Sequence, residues 1–303
     1  MTVAYDSEIE ATIDAAIASA EAGSLDIAVK QFSLARTQAL HLADPEELAK
    51  KIASDHAAYV RERNQFRALF PAKPAGTRNV LIMSDSLGLP RPDDIEGEAQ
   101  TYTNLINERY PDLNVTSLCQ RFATTQNVRD ELTADPDLGR DSHFVLHVGL
   151  NDCANRMFLE NERIALSFLK PMTRDKLIDF TRKYRRDIIQ RLPPHHYVNP
   201  TEFRQNLDAI IDLLRARNAD KIVLTTIILP PAKSWPGTPG INRNFAAYNL
   251  EILNAVHDRD ALLLDLDRHV WQAQNQGVLD PDGMHLADKG HQLFCNKCDP
   301  YLR

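Results

Sequence analysis

Several features that mark other classes of protein are scarce in this sequence. Only 4 of its 303 residues are cysteine, and they are too few and too scattered for a framework of disulfides. The formal net charge is −7, so there is no general excess of basic residues with which to bind nucleic acid. No apolar run approaches the length of a membrane-spanning helix, and the acidic start lacks the basic-then-apolar pattern of a signal peptide. We therefore expect a cytoplasmic protein with reduced thiols that binds neither nucleic acid nor a membrane.

Residues 1–70 have the pattern of helices. Apolar residues recur at helical spacing on both sides of Gly23, and residues 20–32 resemble a tetratricopeptide helix hairpin. A third helix is predicted to begin at Asp44 and Pro45, because an aspartate cap and a proline in the first turn favour a helix start. Arrays of such hairpins need about three repeats to be stable alone, and the sequence has one. Two interpretations stay open: a structural cap on the main domain, or a surface for a protein partner or a second copy in a homo-oligomer.

After a proline-rich linker at residues 70–76, strands and helices alternate. The predicted strands are 79–84, 113–118, 143–149, 221–229 and 261–266, and the predicted helices are 97–109, 125–134, 201–217 and 242–258. Such alternation is typical of a parallel sheet with helices on both faces. We therefore predict an α/β domain at residues 78–303.

One segment, residues 153–198, interrupts this alternation. Helical spacing at 156–169 and 174–192 indicates a helical insertion, since structureless loops of this length are rare in compact domains. The second of these helices has a run of arginine and lysine, which is typical of a solvated helix face. Its position after a candidate site leaves a lid or a wall of the substrate site as the alternative.

A candidate nucleophile follows the first predicted strand. The apolar run at residues 80–83 has the composition of a buried parallel strand and ends in Ser84-Asp85-Ser86. Ligands of open α/β sheets bind at the carboxyl ends of the strands, so the hydroxyl of Ser86 is expected at the lip of a crevice. A plain strand-ending turn is the alternative, because small polar residues end most strands.

Two further polar stretches follow later strands. Asn151 comes after the third strand, and in a parallel sheet it emerges at the same edge as Ser86, where its amide can donate a hydrogen bond to a charge that develops on a substrate oxygen. Asp282 and His285 are three residues apart in a loop near the C-terminus. At that spacing a carboxylate can accept the proton of one imidazole nitrogen while the other nitrogen faces outward, as in the pairs that activate a serine.

Together the three stretches resemble the motifs of the SGNH hydrolases, also called GDSL esterases and lipases. Ser-Asp-Ser-Leu at 84–87 stands against Gly-Asp-Ser-Leu, Gly-Leu-Asn-Asp at 149–152 against Gly-x-Asn-Asp, and Asp-Gly-Met-His at 282–285 against Asp-x-x-His. The resemblance covers residues 78–302 without the insertion. It implies a flavodoxin-like three-layer α/β/α fold with five parallel strands, and we expect no cofactor.

The same resemblance implies a role for each matching residue. Ser86 is the implied nucleophile, His285 its base and Asp282 the residue that orients the base. Asn151 is the implied side-chain donor of the oxyanion hole, beside the backbone N–H of Ser86. The implied reaction is hydrolysis of a short acyl ester, such as acetate on a saccharide or another polar small molecule.

The sequence departs from the family pattern at the remaining oxyanion donor. The family has a glycine there, but residues 119–125 contain none. Any residue except proline has a backbone N–H, so Phe122 or Arg121 can supply the donor, and the bulk of either narrows the site. This departure keeps a catalytically silent binding module open as an alternative, beside an O-acyltransferase with the same triad.

A second cluster near the C-terminus offers a rival site. His291, Cys295 and Cys298 are spaced so that three metal ligands could meet on a helix, but structural zinc normally takes four ligands, so we predict no metal. Asp288 and His291 repeat the spacing of the loop pair within a predicted helix, where such a pair is more often a surface contact. We therefore assign the base to the loop pair.

Overall fold

The computed structural model describes residues 2–67, 77–91, 101–193 and 195–303. The predicted linker at 70–76 and the first residues of the predicted helix 97–109 lie outside the described residues. Within the described ranges, no helix is both long enough and apolar enough to cross a bilayer.

The described chain folds into strands and helices in the order that the sequence predicts. The strands are β1 (Arg78–Ser84), β2 (Leu113–Cys119), β3 (Ser142–His147), β4 (Ile222–Thr225) and β5 (Leu262–Leu264). The helices up to the insertion are α1 (Thr2–Glu21), α2 (Leu25–Leu42), α3 (Pro45–Arg67), α4 (Tyr102–Arg109), α5 (Thr125–Ala134) and α6 (Leu150–Cys153). The remaining helices are α7 (Glu160–Ala165), α8 (Pro171–Arg191), α9 (Pro200–Arg215), α10 (Ile241–Asp258), α11 (Leu266–Gln272) and α12 (Asp288–Leu302).

The five strands form one parallel sheet in the order β2-β1-β3-β4-β5, which confirms the predicted α/β fold. Successive side chains of a strand point to opposite sides, so the apolar runs of these strands give the sheet two apolar faces. Val80 and Ile82 of β1 share a core with residues of α4, α11 and α12, whereas Leu81 lies close to Leu214 of α9. In this strand order the direction of winding reverses between β1 and β3, and ligands of such sheets bind outside the strand ends at that point.

The fourth strand is shorter than predicted. The sequence is apolar to Leu229, but the strand ends at Thr225. The N–H of Thr226 still donates to the C=O of Leu264 in β5. After Thr226, side chains replace the neighbouring strand as hydrogen-bond partners: the amide of Asn249 pairs with the N–H and the C=O of Ile227, and Asp267 accepts the N–H of Leu229. Apolar composition alone does not distinguish these residues from a strand.

Contacts divide the chain into two compact units, and their composition differs from the predicted division at residues 70 and 78. The first unit comprises Met1–Ala58, Asn155–Tyr197 and Ala232–Ile241, so the insertion belongs with the N-terminal helices. The second unit comprises Tyr59–Ala154, Val198–Pro231 and Asn242–Arg303. It contains the whole sheet and also the last turns of α3.

The first unit has a core of its own. The rings of Phe32 from α2 and Phe180 from α8 stack with their centroids 5.4 Å apart. Basic residues of α8 pair with acids of the N-terminal helices, as Lys176 does with Asp14 at 2.8 Å and Arg191 with Asp26 at 2.7 Å. Part of the run that resembled a solvated face therefore joins helices within this unit.

Candidate active site

The site begins where the ends of β1, β2 and β3 lie in register. Ser84 pairs with Cys119 of β2 and with His147 of β3. Beyond Ser84 the chain turns at once: Asp85 is fully buried, and its Oδ1 accepts the N–H of Leu87 at 2.9 Å. This cap starts a short 3₁₀ turn, Ser86–Gly88, which holds the Ser86 hydroxyl at the sheet edge.

Two small residues make this tight turn possible. Ser84 stands where the family has glycine. Its buried hydroxyl donates to the C=O of His147 at 2.9 Å, so the sheet accommodates the extra side chain. A Cβ at Gly88 would lie 2.5 Å from the Sγ of Cys119 and 2.8 Å from the hydroxyl oxygen of Tyr102. Only glycine fits there without displacing these neighbours.

Ser86, His285 and Asp282 lie next to one another. The Oγ of Ser86 is 3.2 Å from the Nε2 of His285, and the Nδ1 of His285 is 2.7 Å from an oxygen of Asp282. The other oxygen of Asp282 accepts the backbone N–H groups of Met284 and His285 at 2.9 and 3.0 Å. Hydroxyl, imidazole and carboxylate thus form a chain in which the imidazole can take the hydroxyl proton.

The surroundings of Asp282 favour its ionised form. Burial alone would raise its pKa, but the N–H groups of His285 and Met284, together with the His285 side chain, outweigh burial and lower it. The guanidinium of Arg91 is 3.5 Å from the oxygen that faces His285, and it also contacts Asp280 at 3.4 Å. Asp282 is therefore a carboxylate at neutral pH and can accept a hydrogen bond from the Nδ1–H of His285.

The loop that holds this pair is fixed at both ends. Leu279 and Leu286 form an antiparallel bridge, and the N–H of Asp280 donates to the C=O of His285 at 2.9 Å. Gly283 turns the chain with φ +75°, a conformation that favours glycine. The short loop therefore sets the position of the imidazole with few free torsions.

Asn151 lies in α6, after β3. The turn before it depends on Gly149, whose φ is +127° and whose added Cβ would lie 2.6 Å from Ile227. The buried amide Nδ2 of Asn151 donates to the C=O of Ala123 at 3.1 Å and to Asp85 at 3.4 Å. These bonds link the chain beside the Ser86–Gly88 turn, the residues after β2 and α6.

The stretch after β2 forms a four-residue turn in which the N–H of Ala123 donates to the C=O of Gln120 at 3.1 Å. Its third residue, Phe122, has φ +62°, at a position where turns with a positive φ usually have glycine. Of the two residues that the sequence offers as a replacement for the family glycine, Phe122 thus adopts the glycine-like conformation. Arg121 instead points its guanidinium at the C=O of Pro90, at 3.0 Å.

The rival cluster on α12 is structural in its contacts. The Nδ1 of His291 accepts the backbone N–H of Tyr102 at 3.2 Å, and burial, with a smaller effect of His285, lowers the pKa of His291 to about 4. Cys295 and Cys298 are buried, and burial raises the pKa of both thiols. Across the part of the chain that the structure describes, no three side chains of His, Cys, Asp or Glu are grouped as metal ligands.

Two further residues that hold the site together, Asp152 and Tyr102, are not indicated by the sequence pattern. Asp152 is fully buried and accepts both the N–H of Thr125, at 3.0 Å, and its hydroxyl, at 2.6 Å, so it joins α6 to α5. Tyr102 is also fully buried, and its hydroxyl contacts the Nδ1 of His147 at 3.0 Å, close to Gly88 of the Ser86–Gly88 turn. The motif Gly-Leu-Asn-Asp contains Asp152, but nothing in the sequence pairs that aspartate with Thr125.

Known proteins share a family model and a fold with this chain. The chain matches the model of the GDSL-like lipase/acylhydrolase family over residues 88–293. A lipase/acylhydrolase from Enterococcus faecalis is similar in structure with a TM-score of 0.51 and 14% identity, over 75% of this chain and 98% of that one. A catalytic mutant of Axe2, an acetylxylan esterase from Geobacillus stearothermophilus, has a TM-score of 0.51 and 13% identity, over 76% of this chain and 96% of that one.

An α/β hydrolase enzyme from the metagenome of Lake Arreo, Spain, is similar with a TM-score of 0.50 and 16% identity, over 77% of this chain and 97% of that one. None of the curated proteins matches the sequence. At these identities the solved structures show a shared fold, whereas the family match spans most of the chain. The protein therefore belongs to the GDSL-like lipase/acylhydrolase family, the SGNH hydrolases.

Proposed function

We propose that the protein is a serine esterase that removes a short acyl group, with acetyl preferred, from a polar or saccharide ester. The observation that carries this proposal is the chain of contacts from Ser86 through His285 to Asp282, with distances of 3.2 and 2.7 Å. A hydroxyl activated in this way attacks ester carbonyls.

In the proposed mechanism, the Oγ of Ser86 attacks the ester carbonyl carbon while its proton passes to the Nε2 of His285. Asp282 stabilises the resulting imidazolium. The tetrahedral intermediate expels the alcohol, which takes the proton from Nε2 and leaves an acyl group on Ser86. Water then attacks this acyl group, His285 takes the proton of the water, and collapse of the second intermediate returns that proton to the Oγ and releases the acid.

The backbone N–H groups of Ser86 and Phe122 and the amide of Asn151 are the proposed donors to the oxyanion. Asn151 already donates to Ala123 at 3.1 Å, which holds its amide in place, and more distantly to Asp85 at 3.4 Å. In this proposal the oxyanion replaces the longer bond when charge develops on the substrate. Donors fixed before the reaction stabilise that charge at little reorganisation cost.

Two features support a small acyl group and a polar alcohol. The side chain of Phe122, 39% exposed, occupies space that the family's glycine leaves open. A cavity of about 410 Å³ is lined by residues on both sides of the Asp282–His285 pair, among them Asp280 and Lys289, and by Arg91, so charged groups lie near the proposed site. An acetylxylan esterase has the same fold, so the fold accommodates such substrates.

Other expectations from the sequence stay predictions. These are the cytoplasmic location, the docking of a partner through the N-terminal helices, and a homo-oligomer.

A fluorophosphonate probe tests the proposed nucleophile directly. Attack by the Oγ of Ser86 on phosphorus expels fluoride, passes the hydroxyl proton to His285 and leaves one phosphonyl group on the protein. We expect mass spectrometry to find one group per chain and fragmentation to place it on Ser86, with Ser84 of the same peptide unmodified. Labelling should disappear in Ser86→Ala and after unfolding in urea. Labelling of Ser86→Ala at the wild-type rate would exclude Ser86 as the nucleophile.

Esters of increasing acyl length test the proposed substrate class. We expect kcat/KM for p-nitrophenyl acetate to exceed that for the octanoate by at least about tenfold, because acyl carbons beyond the first few meet Phe122. Phe122→Gly should reduce this difference by improving the octanoate. Equal kcat/KM values for acetate, butyrate and octanoate would contradict the short-acyl proposal and leave the esterase mechanism intact.

A further inference from the structure

The last turns of α3 present one face to the residues that follow β1 and β2. Tyr59, Glu62, Arg63 and Phe66 are spaced as i, i+3, i+4 and i+7, so they lie on one side of the helix. All four belong to the same compact unit as the sheet. None lies within residues 88–293, the range that the family model matches.

This face contacts the residue that follows the Ser86–Gly88 turn through an apolar cluster. Phe66 is 5% exposed and packs with Leu89, just after the Ser86–Gly88 turn, and with Cys119 at the end of β2. One turn earlier, Arg63 contacts Glu131 of α5 at 2.6 Å. The end of α3 is therefore fixed to the structure that surrounds Ser86.

The next contact reaches the turn that contains Phe122. The Nε of Arg121 donates to Glu62 at 2.9 Å, and its Nη2 donates to the C=O of Pro90 at 3.0 Å. Arg121 is thus held between α3 and the residues that follow the Ser86–Gly88 turn. The two bonds fix the guanidinium of the residue that directly precedes Phe122.

Phe122 itself contacts the helix. Its ring centroid is 5.4 Å from that of Tyr59, with the rings inclined at 49°. The φ of +62° at Phe122 is unfavourable for a residue with a side chain, so contacts elsewhere must compensate for it. Glycine needs no such support, because it adopts this conformation freely.

We propose that Tyr59 and Glu62 of α3 are positioning residues for the oxyanion hole, which hold the turn at Arg121 and Phe122 in the left-handed conformation that the family's glycine adopts unaided. This inference rests on the proposed function, since it gives the N–H of Phe122 a role in the reaction. It assigns the end of α3 to the esterase site, whereas the sequence predicts only a cap or a docking surface.

The test compares Tyr59 variants with p-nitrophenyl acetate as substrate. Tyr59→Ala should lower kcat by about five- to tenfold, the rate equivalent of one aromatic contact, and should leave KM within about twofold, because the lost interaction acts in the transition state. Tyr59→Phe keeps the ring and should retain the wild-type kcat. Gln65→Ala, on the exposed side of the same helix, is the control for general damage to α3.

The Phe122→Gly background distinguishes a positioning role of Tyr59 from a general effect on stability. In the Phe122→Gly background, Tyr59→Ala should change kcat by less than about twofold, since glycine no longer needs the ring. If Tyr59→Ala does not fold, Glu62→Gln replaces it in both backgrounds. We expect Glu62→Gln to lower kcat about two- to fivefold in the wild-type background and not at all in the Phe122→Gly background. The proposal would be overturned by an equal fall of kcat in both backgrounds, by a rise of KM without a fall of kcat, or by an unchanged kcat in the wild-type background.

The Ser86→Ala variant is measured in parallel so that the two proposals fail in different ways. If wild-type turnover disappears in Ser86→Ala but Tyr59 and Glu62 have no effect on kcat, the esterase mechanism stands and the role of α3 is wrong. If wild-type turnover does not depend on Ser86, the proposed function fails and the role of α3 fails with it.

Discussion

Ser86→Ala is expected to lower kcat for p-nitrophenyl acetate by about 10⁴- to 10⁶-fold, the range found when the nucleophile of a serine triad is removed. The variant loses the only atom that forms the acyl-enzyme bond in the proposed mechanism. The Ser86 side chain donates to none of the bonds that cap its own turn, because those are made by Asp85 and by backbone groups. The fold should therefore survive, which circular dichroism can verify.

His285→Ala should lose activity to a similar extent, and the double variant Ser86→Ala/His285→Ala should be no worse than either single one. Residues that act as a unit show this non-additivity, because removal of either ends the same step. Ser54→Ala and His257→Ala change exposed residues of the same types and serve as controls. Equal rates in the wild type and both single variants would exclude the triad.

The sheet can be predicted from the sequence because the patterns that indicate strands and helices are local. Short apolar runs at regular intervals indicate buried strands, and amphipathic segments between them indicate covering helices. The three polar stretches could then be assigned to one sheet edge, because parallel strands all end there. The contact of 3.2 Å between Ser86 and His285 joins residues 199 positions apart in the chain.

What the sequence did not predict depends on contacts between distant segments. The absence of glycine from residues 119–125 is plain in the sequence, but the φ of Phe122 and the ring of Tyr59 beside it are visible only in the fold. Likewise, the basic run of α8 has the same sequence pattern whether its side chains contact water or acidic residues of α1. Apolar periodicity tells which side of a helix is buried, not which helix covers it.

One more position links the fold to the site through backbone packing. Gly290, in the first turn of α12, faces the chain that leads into the catalytic loop: an added Cβ would lie 2.1 Å from the carbonyl oxygen of Val278 and 3.0 Å from Leu286. That carbonyl accepts the N–H of Ala287 at 3.1 Å. A side chain here must displace backbone rather than the flexible end of a neighbour.

Gly290→Ala is therefore expected to destabilise the protein by about 2 kcal/mol. The substitution should gain up to about 1 kcal/mol of helix propensity, but overpacking this closely against fixed backbone costs about 3 kcal/mol, the upper end of the usual range, so the clash outweighs the gain. Unfolding in urea measures the change. Because Val278 and Leu286 flank Asp282 and His285, we also expect kcat for p-nitrophenyl acetate to fall by at least about tenfold, a cost typical of small misplacements of catalytic groups.

Gly277→Ala is the matched control for the Gly290 prediction. Its φ of +70° is also strained for alanine, but no atom lies within 4 Å of the added Cβ. It should lose only about 1 kcal/mol, the cost of the left-handed conformation. A smaller loss of stability for Gly290→Ala than for Gly277→Ala would mean that the backbone at Val278 shifts at little energetic cost. The position of the Asp282–His285 pair would then not depend on the close packing of α12.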